Sequence, residues 1–161
     1  MKKIIAIFFL SVIIFTSCEK DDFCTQNPIT PKLIIKFYDD LDRETVKQVN
    51  RFSIIPEGKT DSLFTNQTID SLIAIPLNSL TNKTVYKLKM NNIDGTIANN
   101  QIATFTIEYI PKEEYVSRSC GFKVIFNDVT FSADNTWIKD FTPSTLTTIN
   151  NQNEVHVKIF H

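Results

Sequence analysis

The sequence alternates apolar and polar residues with a period of two, and this pattern restricts the chain to β-structure more than any other feature. Residues 84–91 alternate through Tyr86, Leu88 and Met90, and residues 101–110 repeat the pattern. Side chains on a strand point to opposite faces in turn, whereas a helix needs a period near 3.6. The 22 Ile, 9 Val and 18 Thr also favour pleated surfaces. The alternation therefore predicts an all-β fold.

Turn signals separate the alternating segments and predict an antiparallel β-sandwich of about eight short strands. We expect residues 84–91 and 101–110 to form a hairpin that Pro111 ends. The only tryptophan, Trp137, falls on a short predicted strand at residues 136–141. The other segments are 32–38 in a central position, 62–65 and 72–77 at edges, and 49–55, 121–132 and 154–160.

The N-terminal residues have the pattern of a secretory signal. Two lysines precede an apolar run that is too short for a stable membrane span, and Thr16 and Ser17 come directly before Cys18. Small residues before a cysteine resemble the lipobox of bacterial lipoproteins, in which that cysteine is acylated. We predict a lipoprotein signal peptide at residues 1–17, a lipidated tether at 18–31 and a β-sandwich domain at 32–161. The alternatives are an ordinary cysteine near a signal, or an uncleaved anchor.

The residues after Cys18 carry a second signal. Lys20, Asp21 and Asp22 resemble the surface-export signal of Bacteroidota lipoproteins. This resemblance implies an outer-membrane lipoprotein that faces the cell surface rather than the periplasm. The alternative is a solvated acidic spacer, which would leave the protein on the inner leaflet.

Cys24 and Cys120 remain once Cys18 is assigned to lipid. Two thiols in an oxidising compartment can form only one pair, so we predict a Cys24–Cys120 disulfide. In the chain-entropy model a bond across so long a loop stabilises the fold by about 4–5 kcal/mol. The alternative, a nucleophilic Cys120, requires a nearby histidine, and both histidines lie far along the chain.

Two segments resemble a known family. They are the stretch from Cys24 through Thr30 to Asp39, and the stretch 115–122, which contains Ser-Arg-Ser-Cys-Gly-Phe. From about Cys24 to Phe131 the chain is similar to an uncharacterised family of small Bacteroidota lipoproteins, a domain of unknown function. The resemblance implies a lipid anchor, a β-rich body and the cysteine pair. It implies no activity.

Charge and composition exclude several functions. The 17 Lys+Arg and 18 Asp+Glu give a net charge of −1 without a basic cluster, which argues against a nucleic-acid partner. Three glycines cannot supply a glycine-rich phosphate loop, and the chain has no hydrolase elbow or zinc-protease motif. We predict a protein that is not an enzyme and needs no cofactor.

Four acids follow the first predicted strand: Asp39, Asp40, Asp42 and Glu44. They could converge on Ca²⁺, which takes oxygen ligands, but their spacing lacks the glycine and the final glutamate of a known calcium loop. We predict a solvated turn, with one turn of helix within residues 39–46, and no metal site.

The two histidines are predicted to be solvated. His156 alternates with Val155 and Val157, which places it on the polar side of the last strand, and His161 follows that strand. Neither position brings a second catalytic group close along the sequence.

Surface features leave two further hypotheses. Tyr38 and Phe160 face outward by alternation and could form a sugar- or partner-binding platform, although packing between sheets is the expected use of most aromatics. Two Asp-Ser-Leu triplets resemble the O-glycosylation signal of exported Bacteroidota proteins. They make Ser62 and Ser71 candidate glycosylation sites.

Together these features predict a membrane-anchored lipoprotein that acts as a non-catalytic structural or interaction module of the cell envelope. Its partners would be the membrane, through N-terminal acyl chains, and an envelope protein complex. The alternative is a glycan- or ligand-binding accessory lipoprotein of an outer-membrane uptake system. A hydrolase would need clustered acids or a Ser/His pair, for which the sequence offers no spacing.

Overall fold

A computed structural model describes Cys24, residues 29–134 and residues 136–161. The predicted signal peptide at residues 1–17, the acylation site Cys18 and the export residues Lys20, Asp21 and Asp22 lie outside these residues. The chain divides into two compact units. One combines Met1–Pro28 with Tyr115–Phe122, and the other combines Ile29–Glu114 with Lys123–His161.

The described residues form ten strands in two sheets, which confirms the predicted all-β sandwich. The strands are β1 Leu33–Tyr38, β2 Val49–Pro56, β3 Phe64–Ile69, β4 Leu72–Ile75, β5 Lys83–Met90, β6 Gln101–Ser117, β7 Gly121–Ala133, β8 Asp140–Thr142, β9 Thr145–Ile149 and β10 Val157–Phe160. One sheet has the order β4-β1-β10-β8, and the other has the order β3-β2-β5-β6-β7-β9. A short 3-10 helix, Ile97–Asn99, precedes β6.

Neighbouring strands pair antiparallel with one exception. The predicted hairpin of β5 and β6 forms, with registered pairs from Lys83↔Glu108 to Met90↔Gln101. β1 is central in its sheet, but it pairs parallel with β10, with Ile35 opposite Val157. A purely antiparallel sandwich is therefore wrong for this pair. Parallel neighbours need a long crossover, and here most of the chain forms it.

Several strand boundaries differ from the prediction. β6 continues past Pro111, because its pairing with β5 ends at Glu108 and the missing N–H of the proline interrupts no bond of that ladder. Trp137 lies before β8 rather than within a strand. β9 was not predicted, and Val155 precedes β10 instead of facing inward from it.

Three strands contain a non-glycine residue in the left-handed region, Arg51 in β2, Asn66 in β3 and Asp128 in β7, and in β2 and β7 the buried side of the strand changes there. Arg51 has a φ of 47°, and the register of β2 against β3 shifts beside it. Asp128 has a φ of 50° and lies between the buried Phe126 and Val129. An extra residue of this kind is a β-bulge, which shifts the alternation of the strand by one residue. Apolar residues on either side of the bulge can therefore both face the core.

The inner faces of both sheets enclose one core. Phe37 packs edge-on against Phe52 with ring centroids 5.3 Å apart, and Trp137 lies 6.1 Å from Phe37. The indole Nε1 of Trp137 donates a 2.9 Å hydrogen bond to the Leu88 carbonyl oxygen. The inward positions predicted for β5 and β6 are confirmed: Tyr86, Leu88, Met90, Phe105, Ile107 and Tyr109 are all buried in this core.

No helix in the described part of the chain is long and apolar enough to cross a membrane.

Candidate functional site

Tyr38 and Phe160 lie in register on the outer side of the four-stranded sheet, but their rings are not accessible. Tyr38 is 9% exposed and Phe160 is 2% exposed. The ammonium groups of Lys158 and Lys36 lie 4.9 and 5.7 Å from the centre of the Tyr38 ring, and the Arg43 guanidinium lies 4.5 Å from that of Phe160. Cations over ring faces are favourable contacts. The aromatic platform, which was the alternative to packing between sheets, is therefore wrong at these two residues.

Two carboxylates hold Arg43 over Phe160. Its Nη1 is 2.6 Å from Asp140 Oδ2, and its Nη2 is 3.0 Å from Asp40 Oδ1. The bond to Arg43 keeps the pKa of the Asp140 carboxyl below its usual value. Since Arg43 joins the turn after β1 to β8, this ion pair closes the outer face rather than offering a binding site.

The acidic turn after β1 is stabilised by its own groups. Asp39 Oδ1 accepts hydrogen bonds from the main-chain N–H groups of Leu41 and Asp42, and its Oδ2 is 2.8 Å from Lys47 Nζ. The bond to Lys47, followed by the two main-chain bonds, lowers the pKa of Asp39 to about 2. These bonds form an Asx turn, so the predicted helical turn is wrong. Among the described residues, no group of three or more His, Cys, Asp or Glu side chains is placed to hold a metal ion.

Both histidines are buried, so their predicted solvation is wrong. His156 lies before β10, and its Nδ1 accepts a 2.9 Å hydrogen bond from the main-chain N–H of Ile34. His161 packs edge-on against Phe37 and Trp137, with centroids 6.0 and 5.5 Å away. His156 lies beside Ile34 at the end of the β1–β10 ladder, where its main-chain N–H also donates to the Ile34 carbonyl oxygen, so alternation with neighbouring valines does not indicate exposure.

Burial lowers the pKa of both histidines. For His156 the loss of solvation outweighs the opposing charge of Glu154. For His161 the loss of solvation is reinforced by the charge of Lys47, whose Nζ donates to the main-chain oxygen of His161. Both rings are therefore neutral in the fold at neutral pH, and Nδ1 of His156 is occupied by its donor.

These shifts predict that acid destabilises the protein well before its carboxylates titrate. Below the ordinary histidine pKa of 6.5, the unfolded chain binds protons that the folded chain does not, so stability falls as pH falls. Each histidine contributes a slope of up to about 1.4 kcal/mol per pH unit. His156→Asn keeps a short acceptor for Ile34 and removes the titration. Urea unfolding between about pH 7.5 and 5 is expected to give a shallower slope for this variant. An unchanged slope would contradict the assignment.

A shallow groove lies between the end of β2, the β4–β5 connection and β5. Its volume is about 390 Å³, and it is lined by Pro56, Glu57, Leu77, Lys83 and Tyr86 among others. The Tyr86 hydroxyl donates to the Pro76 carbonyl oxygen, and burial, followed by the neighbouring Tyr109, raises its pKa to about 12. The Tyr86 phenol is therefore neutral and already hydrogen-bonded, so it does not act as a base or a nucleophile.

The two candidate glycosylation sites lie at opposite ends of β3, an edge strand. Ser62 is half-buried in the turn before β3, and Ser71 is exposed in the turn between β3 and β4. Both serines therefore lie in loops next to an edge strand. Their modification stays a prediction.

Cys24 and Cys120 form a disulfide, as predicted, with Cα atoms 4.7 Å apart. Cys120 belongs to the segment Tyr115–Phe122, which we call the hairpin tip because it contains the turn between β6 and β7. The main-chain N–H of Cys120 donates a 3.0 Å hydrogen bond to Ser117 Oγ, which fixes the turn. Cys120 is therefore a structural cysteine rather than a free nucleophile.

The hairpin tip presents two aromatic rings to solvent. Tyr115 is 59% exposed and Phe122 is 62% exposed. Their rings contact each other edge to face, with centroids 5.4 Å apart. Alternation of Phe122 with Val124 and Phe126 along residues 121–132 predicts that Phe122 faces inward, and that prediction is wrong. The sequence feature that indicates exposure of these rings is the polar composition of the tip, in which Tyr115 and Phe122 are isolated aromatic residues.

Comparison with known proteins bears on every strand of the fold except β1. Residues 51–161 match a family of unknown function, DUF6452. The chain belongs to the DUF6452 family. The DUF6452 match begins within β2 and includes Cys120 and the hairpin tip, but it does not include Cys24. No curated protein and no solved structure matches the chain.

Membership in DUF6452 confirms the predicted relation to a family of unknown function, and its match overlaps the predicted range over residues 51–131. The Bacteroidota lipoprotein character of that family stays a prediction. The resemblance was carried by residues 24–39 and 115–122, whereas the DUF6452 match continues to His161.

Proposed function

We propose that this protein is a lipoprotein of the cell envelope, anchored by acyl chains on Cys18, that binds other envelope components without catalysing a reaction. The observation that carries this proposal is the Cys24–Cys120 disulfide. The chain has three cysteines, so this pairing leaves Cys18, directly after the apolar run, for acylation. A disulfide also fits an exported protein, because such bonds persist in oxidising compartments.

The location follows from the residues beside the anchor. Lys20, Asp21 and Asp22 resemble the export signal of Bacteroidota lipoproteins, and we extend the proposal to the outer membrane with the body at the cell surface. Two or three acyl chains hold a protein far more firmly than one, since each buried CH₂ contributes about 0.8 kcal/mol. The folded body is thereby left free to bind other molecules.

A non-catalytic role is supported by how the reactive side chains are used. His156 accepts a main-chain N–H, the Tyr86 phenol stays neutral, and Cys120 is oxidised. Exposed strand edges and aromatic rings are the features that such a body offers to partners.

The anchor is tested by Cys18→Ala. We expect this variant to lose incorporation of labelled palmitate and to move from the membrane fraction to the soluble fraction, because Cys18 supplies the acylated atom. The matched control is Cys24→Ser with Cys120→Ser, which lacks the disulfide and is expected to stay acylated. Label on the Cys18→Ala protein would contradict the proposal. Protease accessibility on intact cells then reports which leaflet holds the wild type.

The groove beside Tyr86 favours a second candidate, a ligand-binding lipoprotein of an uptake system. Its volume of about 390 Å³ and its mixture of Pro56 and Leu77 with Glu57 and Lys83 are in the range of small-molecule sites. Saturable binding of soluble oligosaccharides that is lost in Lys83→Ala would support this function over the first.

A further inference from the structure

We propose that the hairpin tip contacts the membrane that holds the anchor, with Tyr115 and Phe122 at the lipid headgroup level. This inference rests on the proposed acylation of Cys18 and adds a second point of contact to it. The partner is a lipid surface, recognised by two amphipathic rings rather than by a pocket.

The chemistry of the two rings fits a bilayer interface. Both are more than half exposed and contact each other at 5.4 Å, so they form one small apolar surface. Aromatic rings with one polar end concentrate at membrane–water interfaces, where the ring meets the acyl region and the hydroxyl stays hydrated. Tyr115 has such a hydroxyl, and Phe122 adds apolar area beside it.

The disulfide limits how far the tip can move from the anchor. Cys24 is the sixth residue after Cys18, and six extended residues span about 20 Å at most. The Cys24 and Cys120 Cα atoms are 4.7 Å apart. Cys120 therefore stays within about 25 Å of the acylated residue. Without the bond, the next attachment of this segment to the hairpin is at Thr30, whose Oγ1 accepts a 3.2 Å hydrogen bond from the Val124 main-chain N–H, so the reach from Cys18 would double to twelve residues.

The small area of the aromatic pair, together with the short tether, favours lipid over a protein partner. A stable protein interface buries about 800 Å² on each side, whereas one aromatic side chain buries about 150–250 Å². Two partly covered rings are too small a surface for that. Next to an acyl anchor they need no independent affinity, because the tether turns their contact with the bilayer into an intramolecular event.

The test uses the acylated full-length mature protein with Phe122→Trp, reconstituted into phosphatidylcholine vesicles with brominated acyl chains. The only native tryptophan, Trp137, is buried, so the wild type in the same vesicles gives the background signal. We expect the added tryptophan to show a blue shift, loss of emission to bromine and protection from acrylamide. Tyr115→Trp reports the same from the other ring if Phe122→Trp does not fold.

Flotation of the vesicles separates the two proposals. Protein that does not float with vesicles contradicts the acyl anchor. Protein that floats while its added tryptophan stays unquenched and open to acrylamide overturns the membrane contact. Reduction of the disulfide is the matched control. Flotation should persist while quenching decreases, because the shortest link from Cys18 to the hairpin then runs to Thr30 instead of Cys24. Quenching that reduction leaves unchanged would contradict the role of the disulfide in the tether.

Discussion

Phe37→Ala is expected to lower the free energy of unfolding by about 3–5 kcal/mol, which is a large part of the 5–15 kcal/mol of a typical domain. Phe37 is 1% exposed, lies on β1 of the four-stranded sheet and packs against Phe52 of the six-stranded sheet and against Trp137 before β8. The substitution removes the buried apolar area of the ring. It also leaves a cavity that the rigid strands around it cannot close. Urea unfolding of the soluble Cys18→Ser protein measures the loss.

Phe122→Ala is the matched control for this variant. It removes the same atoms from a ring that is 62% exposed, and exposed substitutions change stability by about 0.5 kcal/mol or less. The comparison separates burial from residue type. Equal losses in the two variants would contradict the placement of Phe37 in the core or of Phe122 at the surface.

Loss of the Cys24–Cys120 bond is expected to cost up to about 4–5 kcal/mol, because the bond closes a long loop in the unfolded chain. The measurement is urea unfolding of Cys24→Ser with Cys120→Ser, against the wild-type pair. Cys18→Ser in both proteins removes the remaining thiol and the anchor.

The reducing agent supplies the control for the disulfide variant. It should destabilise the cysteine pair to the level of the serine variant and leave the serine variant unchanged. A loss below about 1 kcal/mol would show that the bond does not restrict the unfolded chain enough to stabilise the fold. A loss in the serine variant on reduction would point to a cause other than this bond.

The sequence predicted the β5–β6 hairpin and its buried residues because both depend on neighbours along the chain. Alternation gives the faces of a strand, and a short loop gives its partner. The parallel pairing of β1 with β10 could not be predicted in this way. Ile35 and Val157 are 122 residues apart, and nothing local to either strand specifies the other.

The candidate site was harder to predict than the fold because burial depends on what covers an outer face. Alternation correctly placed Phe160 on the outer side of its sheet, but not the Arg43 side chain that lies over it. His156 is likewise buried by a main-chain contact to Ile34 from a distant strand. For Phe122 the prediction erred in the opposite direction, because alternation along β7 gives the face of a residue and not whether anything covers it.

The parallel pair of β1 and β10 also orders events during synthesis. A chain made from its N-terminus exposes β1 and β4 early, yet one edge of β1 stays open until residues 157–160 have been made. Pairings between such distant segments form slowly, and an open strand edge attracts other chains. A chaperone that binds the nascent chain would protect that edge until β10 pairs with it. The lifetime of the half-finished sheet sets the interval in which aggregation competes with folding.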